Sequence, residues 1–64
     1  MKNVIHVLRA EKRWSQSELG EQVGVSRQAI NAVETGKHDP SLSLAFRIAE
    51  AFGKRIEDVF DPRG

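Results

Sequence analysis

Two short helical patterns separated by a three-residue turn limit the possible folds of this chain more than any other feature. The first pattern begins at Ser15, and Glu18 follows three residues later, which is the spacing of a capping box at a helix start. The pattern ends at Gly24, and Ser26 is placed to cap the second helix. A connection of about three residues that includes a glycine is the spacing of a helix-turn-helix.

Glycines divide the rest of the chain in the same way and predict an all-α fold. Gly24, Gly36 and Gly53 each follow a helical pattern, so we expect them in the left-handed conformation just past helix ends. Gly20 lies inside the second predicted helix, where it costs about 0.8–1 kcal/mol relative to alanine, and we expect another helix to approach it closely. No sustained alternation of period two predicts a strand. The five predicted helices span residues 3–12, 16–23, 27–35, 41–52 and 56–60 of one domain, residues 1–64.

The composition argues against several classes of protein. The 64 residues include no cysteine and only two histidines, His6 and His38, so neither a disulfide framework nor a metal site is expected. No Gly-rich phosphate loop or paired carboxylates indicate an enzyme, and we expect no catalytic residues and no cofactor. No apolar run approaches the ~20 residues of a membrane span, and no signal peptide is evident, which favours a cytoplasmic protein. The net charge of +1 argues against a polybasic tail but allows a local basic face.

The third predicted helix has an outer face of unusual chemistry. At about 100° per residue, one face is apolar and is formed by Ala29, Ile30 and Val33. A solvated outer face is more often rich in Glu and Lys, which form stabilising pairs. Here the outer face is instead short, polar and rich in amides: Arg27, Gln28, Asn31, Ala32 and Thr35. Asn and Gln can bond adenine bidentately and Arg matches guanine, so this face predicts contact with DNA bases.

Segment 14–37 closely resembles the phage-repressor (Cro/cI, Xre-type) helix-turn-helix family. The shared elements are Ser-Gln-x-x-Leu at 15–19, Val-Ser-Arg-Gln-x-Ile at 25–30 and Glu-x-Gly-Lys at 34–37, and the resemblance extends over residues 3–60. It implies a compact five-helix, lambda-repressor-like domain with its helix-turn-helix at about 16–35. It also implies a homodimer that binds double-stranded operator DNA and regulates transcription.

The resemblance assigns expected roles to individual residues of this sequence. The start of the third helix, from Ser26, is expected in the major groove. Arg27, Gln28 and the position of Ala32 resemble base readers, with Asn31 beside them. Phosphate contacts are implied for Gln16, Thr35 and Lys37, and a structural ion pair is implied for Arg9 and Glu34.

The fourth predicted helix is apolar over roughly 220° of its circumference, more than the ~100° that a one-sided helix needs. The excess is explained equally well by a broad intramolecular core and by a dimer surface. For a homodimer we expect an interface formed by Leu44, Ala51, Ile56 and Phe60.

The sequence leaves several functions open. The leading hypothesis is a sequence-specific transcriptional regulator, most simply a repressor, with no effector-binding domain. A second hypothesis adds a protein partner, as in the antitoxin of a toxin pair or the controller of a restriction system. A third is a helical interaction module without DNA binding, which would fit the near-neutral charge. An enzyme is the most distant alternative.

Overall fold

The computed structural model describes residues 1–63 and gives this part of the chain five helices and one short strand pair. The elements in chain order are β1 (Lys2–Asn3), α1 (Ile5–Lys12), α2 (Gln16–Val23), α3 (Arg27–Glu34), α4 (Leu42–Phe52), α5 (Ile56–Val59) and β2 (Phe60–Asp61). The predicted five-helix fold is confirmed, and no predicted helix end is displaced by more than two residues. No helix within residues 1–63 has the length and apolar character that crossing a membrane requires.

The strand pair is the one element type that the sequence did not predict. β1 pairs antiparallel with β2, with Lys2 opposite Asp61 and Asn3 opposite Phe60. The prediction was wrong at residues 3 and 60, which are extended rather than helical. Two residues per strand are too few to show an alternating pattern, because alternation is visible only over four or more residues. The pairing ties the beginning of the domain to the end of α5.

Serine side chains cap the starts of α2, α3 and α4. Ser15 Oγ accepts a hydrogen bond from the Glu18 backbone N–H at 3.0 Å, and the Ser15 N–H donates to the Glu18 carboxylate at 3.0 Å. The capping box is therefore confirmed. Ser26 and Ser41 cap α3 and α4 in the same way, each accepting a backbone N–H bond of 3.1 Å. Gly24 ends α2 with φ +78°, a conformation that glycine adopts without steric cost.

Gly20 meets a different neighbour from the one predicted. A Cβ atom at this position would lie 2.5 Å from the backbone oxygen of Val25, so the close approach is by the α2–α3 turn and not by another helix. The Val25 N–H also donates to the Gly20 carbonyl at 3.0 Å. Gly20 therefore lets the turn fold back onto α2, which sets the position of α3.

Buried apolar side chains from all five helices form one core. Ile30 and Val33 bring the inner face of α3 into it. Trp14 packs against its edge, with its ring centroid 5.6 Å from that of Phe52. The buried residues are Ile5, Leu8, Leu19, Val23, Ile30, Val33, Leu44, Ala45, Ile48, Ala49, Phe52, Val59 and Phe60. Because the core holds only one side of α3, the polar side of that helix faces solvent.

Candidate nucleic-acid interface

The outer face of α3 carries the predicted base-reading residues. Arg27, Gln28 and Asn31 are exposed, and Ala32 is half-buried. The side chains of Arg27 and Gln28 form no hydrogen bond with any other side chain or backbone group of residues 1–63. These two side chains extend from the first turn of α3 and are available to an external partner.

Polar groups lie at both ends of this face. Ser26 uses its oxygen as the cap of α3, which leaves its hydroxyl hydrogen available. At the other end the Thr35 hydroxyl donates to the backbone oxygen of Asn31 at 2.8 Å. Lys37 follows one residue after Gly36 and is exposed. A cation there lies beyond the helix end, where it can reach a neighbouring anion.

Arg9 and Glu34 form a bidentate ion pair between α1 and α3. Arg9 Nη2 lies 2.7 Å from Glu34 Oε1, and Arg9 Nε donates to Glu34 Oε2 at 3.2 Å. Their side chains are 19% and 9% exposed, so most of the pair is withdrawn from water. Arg9 Nη1 also donates to the backbone oxygen of Trp14 at 2.9 Å. One guanidinium thus connects α1, the α1–α2 turn and α3.

The Glu34 carboxylate stays ionised because its hydrogen bonds outweigh its burial. Burial alone would raise its pKa, but hydrogen bonds from Arg9 and Gln16, together with the Arg9 charge, lower the pKa below its ordinary value of 4.5. At neutral pH Glu34 therefore only accepts hydrogen bonds.

Gln16 lies against this ion pair. Its Nε2 donates to Glu34 Oε2 at 3.1 Å and to Asn31 Oδ1 at 3.1 Å. The resemblance gave Gln16 a phosphate contact, whereas the structure directs both amide hydrogens to partners within the protein. Sequence reasoning missed this contact because Gln16 and Asn31 are 15 positions apart and on different helices.

The four residues predicted for a dimer interface do not form one accessible surface. Leu44 and Phe60 are buried in the monomer's own core, while Ala51 and Ile56 are half-buried. Ile56 and Phe60 line an apolar groove together with Met1, Pro40, Leu42 and Ala45. Ala51 lies nine residues beyond Leu42, which places it about 180° around α4 from the groove.

Comparison with known proteins decides the family. The family model described as "Helix-turn-helix" matches residues 5–59. An uncharacterized HTH-type transcriptional regulator of Methanocaldococcus jannaschii is 53% identical over 60 residues, which cover 94% of this chain and 91% of that relative. This chain belongs to the phage-repressor-like (Cro/cI, Xre-type) helix-turn-helix family. It is a transcriptional regulator with a helix-turn-helix DNA-binding domain, and it is not an enzyme.

Two solved structures share the fold of this helix-turn-helix regulator. The P22 c2 repressor protein, crystallised in complex with a synthetic operator, has a TM-score of 0.80 and 26% identity, over 83% of this chain and 80% of that chain. The restriction-modification controller protein C.AhdI from Aeromonas hydrophila has a TM-score of 0.81 and 28% identity, over 88% and 85% of the two chains. Both likenesses span more than four fifths of the regulator.

Two residues that sequence reasoning missed hold the helix-turn-helix in place. Asn3 Nδ2 donates to the backbone oxygens of Val33 (3.0 Å) and Glu34 (3.4 Å), and Asn3 Oδ1 accepts from the Ile5 N–H (3.1 Å). Asn3 therefore bridges the end of α3 and the start of α1. Asparagine favours such local capping bonds, which was the available signal at Asn3. Arg47 Nη1 donates to the Val23 oxygen at 2.6 Å and thereby caps the end of α2, a contact without a local sequence signal.

Proposed function

We propose that this regulator binds a palindromic operator as a homodimer, with α3 in the major groove, and that it represses transcription. The observation that carries the proposal is the exposed first turn of α3, where Arg27 and Gln28 find no partner within residues 1–63. An operator complex of the structurally similar P22 c2 repressor protein supports the same use of the fold.

Each residue of the outer face has a proposed contact. Arg27 donates to guanine and Gln28 bonds adenine, since each side chain can match that base edge with two hydrogen bonds. The Ala32 methyl group can touch a thymine methyl. Ser26, Thr35 and Lys37 contact phosphates, Thr35 by turning its hydroxyl hydrogen away from the Asn31 oxygen. These contacts orient the domain without carrying sequence information. Asn31 reads a base one turn further along α3.

Sequence-specific binding is tested by selection from random duplex DNA, followed by gel-shift titration at two salt concentrations. We expect the selection to yield one motif with two inverted half-sites about one helical turn, roughly 34–36 Å, apart. We expect the affinity for that motif to fall with added salt, because phosphate contacts release counterions. Recovery of no motif, with equal affinity for all duplexes, would refute the proposal. Repression is tested separately, with a reporter whose promoter overlaps the selected motif.

The proposed dimer uses the α4–α5 end of the domain. Leu42 is 69% exposed beside the half-buried Ile56, and both line the apolar groove. A small domain gains stability from a second copy that covers such a surface. We expect wild type to sediment as a dimer at micromolar concentration and Leu42→Glu to sediment as a monomer. Val7→Glu, which introduces the same charge at an exposed valine of α1 outside the groove, is the matched control and should remain dimeric. A 7.2 kDa monomer for wild type, with and without DNA, would refute this part.

A controller or antitoxin role is the alternative within the same DNA-binding function. The likeness to the restriction-modification controller protein C.AhdI favours it. A cognate toxin or other protein partner would then cover the exposed apolar surface of Leu42 and Phe46. A gene for a restriction enzyme or a toxin beside the regulator's own gene would support this alternative.

A further inference from the structure

The hydrogen-bond path from Arg9 to Asn31 has a fixed direction. A guanidinium only donates hydrogen bonds, and an ionised carboxylate only accepts them. Arg9 donates to both oxygens of Glu34. The donor and the acceptor at this end of the path therefore cannot be exchanged.

This arrangement fixes the orientation of the Gln16 amide. Gln16 lies 3.1 Å from Glu34 Oε2, and only its NH₂ group can donate there. The second hydrogen of that NH₂ group is directed to Asn31, at 3.1 Å. Asn31 must therefore turn its oxygen towards Gln16, which leaves its own NH₂ group facing away. The exposed position of Asn31 on the outer face of α3 places that NH₂ group where DNA would bind.

We propose that Gln16 is a positioning residue that makes Asn31 offer only hydrogen-bond donors to DNA, so that Asn31 selects guanine over adenine. The proposal rests on the proposed DNA-binding function. In the major groove guanine presents two acceptors, O6 and N7, while adenine presents the N7 acceptor beside the N6 donor. The usual asparagine–adenine pair needs the asparagine oxygen to face the base, whereas in this regulator the hydrogen bond from Gln16 turns that oxygen towards α2.

The same geometry separates this role from a phosphate contact by Gln16. Both hydrogens of its amide are used within the protein, so Gln16 has no side-chain donor left for a phosphate oxygen. A phosphate contact would contribute to affinity for every sequence and to the salt dependence. A positioning residue changes the preference at one base pair and leaves the salt dependence unchanged.

The test uses the full chain and the operator selected for it. The base pair read by Asn31 is first located as the position where Asn31→Ala abolishes discrimination among the four bases. At that position we expect wild type to bind guanine about tenfold more tightly than adenine, the ratio that corresponds to about 1.4 kcal/mol. Gln16→Ala and Gln16→Met remove the donors and free Asn31 to rotate, so the ratio should fall to about twofold or less. Gln22→Ala, an exposed glutamine of α2, is the matched control and should keep the wild-type ratio.

Two results would overturn the proposal. The first is a wild-type preference for adenine at the Asn31 position, or the absence of any such position. The second is a loss of affinity by Gln16→Ala that is equal for all four bases and reduces the salt slope by about one, as a lost phosphate contact does. Failure of the proposed function differs from both, because wild type would then select no motif at all. Circular dichroism of each variant verifies that the compared proteins are folded.

Discussion

The first turn of α3 and the second half of the same helix are held in different ways. Arg27 and Gln28 are fixed only through their backbone, by the Ser26 cap and the α2–α3 turn. Asn31 and Glu34 are held by side-chain bonds from α1 and α2. The first turn can thus adjust its side chains to a base edge, while the second half presents groups whose orientation is set in advance.

The second half of α3, from Asn31 to Glu34, is called the fixed half here. It also determines where the first turn of the helix lies. Asn3 donates to the last carbonyls of α3, and Arg9 binds Glu34 from α1. Ile30 and Val33 anchor α3 in the core. Any change that loosens the Asn3 or Arg9 contacts should therefore move the helix as a unit. A mutation in the fixed half should therefore change both stability and the position of the first turn, whereas a mutation of Arg27 or Gln28 should change base reading and leave stability unchanged.

Of the variants considered, Glu34→Ala should destabilise the protein most. It leaves the Arg9 guanidinium mostly buried without its carboxylate and removes one acceptor of Gln16. Breaking a buried pair costs about 3–5 kcal/mol, and we expect about 3 here because Arg9 keeps some contact with water. Urea denaturation measures this loss, with Glu21→Ala, an exposed carboxylate of α2, as the control. An unchanged unfolding midpoint for Glu34→Ala would mean that the pair contributes nothing to stability.

Gly20→Ala tests the support of the first turn. Alanine favours a helix interior by about 0.8–1 kcal/mol, but its Cβ would meet the Val25 oxygen at 2.5 Å. The backbone of the α2–α3 turn must shift, and overpacking of this kind costs about 1–3 kcal/mol. We expect net destabilisation in thermal melts, whereas Ser17→Ala on the exposed side of α2 should have little effect. A more stable Gly20→Ala would show that the turn can move freely.

Asn3→Ala should loosen the end of α3 by a smaller amount. The variant leaves the Val33 oxygen and the Ile5 N–H without their side-chain partner, at a cost of about 1 kcal/mol. Hydrogen exchange of the α3 amides should accelerate along with the loss of stability. Lys2→Ala, its exposed neighbour in β1, is the control, and equal effects of the two variants would argue against a specific role of Asn3.

Acid should weaken the fixed half least, because a protonated Glu34 stays in place and keeps one carbonyl acceptor. The pKa of Glu34 is lower in the folded protein than its ordinary value of 4.5, so its contribution is complete above that pH. The contribution is lost as the pH falls through the folded-state pKa. We expect the free energy of unfolding of wild type to decline below about pH 4.5 more steeply than that of Glu34→Gln. Parallel pH profiles for the two proteins would show that Glu34 has the same pKa in both states.

Local signals allowed the sequence to predict the helices and the position of the helix-turn-helix. Ser15 with Glu18, and Gly24 followed by Ser26, are short-range signals whose physical effect does not depend on the rest of the fold. The pairing of β1 with β2 joins residues from opposite ends of the chain, so no local sequence pattern near residue 3 predicts it.

The features of the site that the sequence did not predict depend on contacts between residues that are far apart in the chain. The orientation of Gln16 depends on how α2 crosses α3, which no spacing within either helix specifies. The predicted interface residues were separated for the same reason. The packing of α5 puts Ile56 in a groove beside Leu42, while helical rotation places Ala51 on the other side of α4.

The central claim, that the exposed first turn of α3 reads bases while its flanks hold phosphate, is tested most directly by two variants on one set of operators. Gln28→Ala and Lys37→Ala are titrated against every single-base variant of the selected operator. We predict that Gln28→Ala loses about 1–3 kcal/mol of binding and relaxes the preference at one position in each half-site. Lys37→Ala should weaken all sequences alike and reduce the salt slope by about one. A loss by Gln28→Ala that is uniform across all operator variants would contradict base reading by this turn.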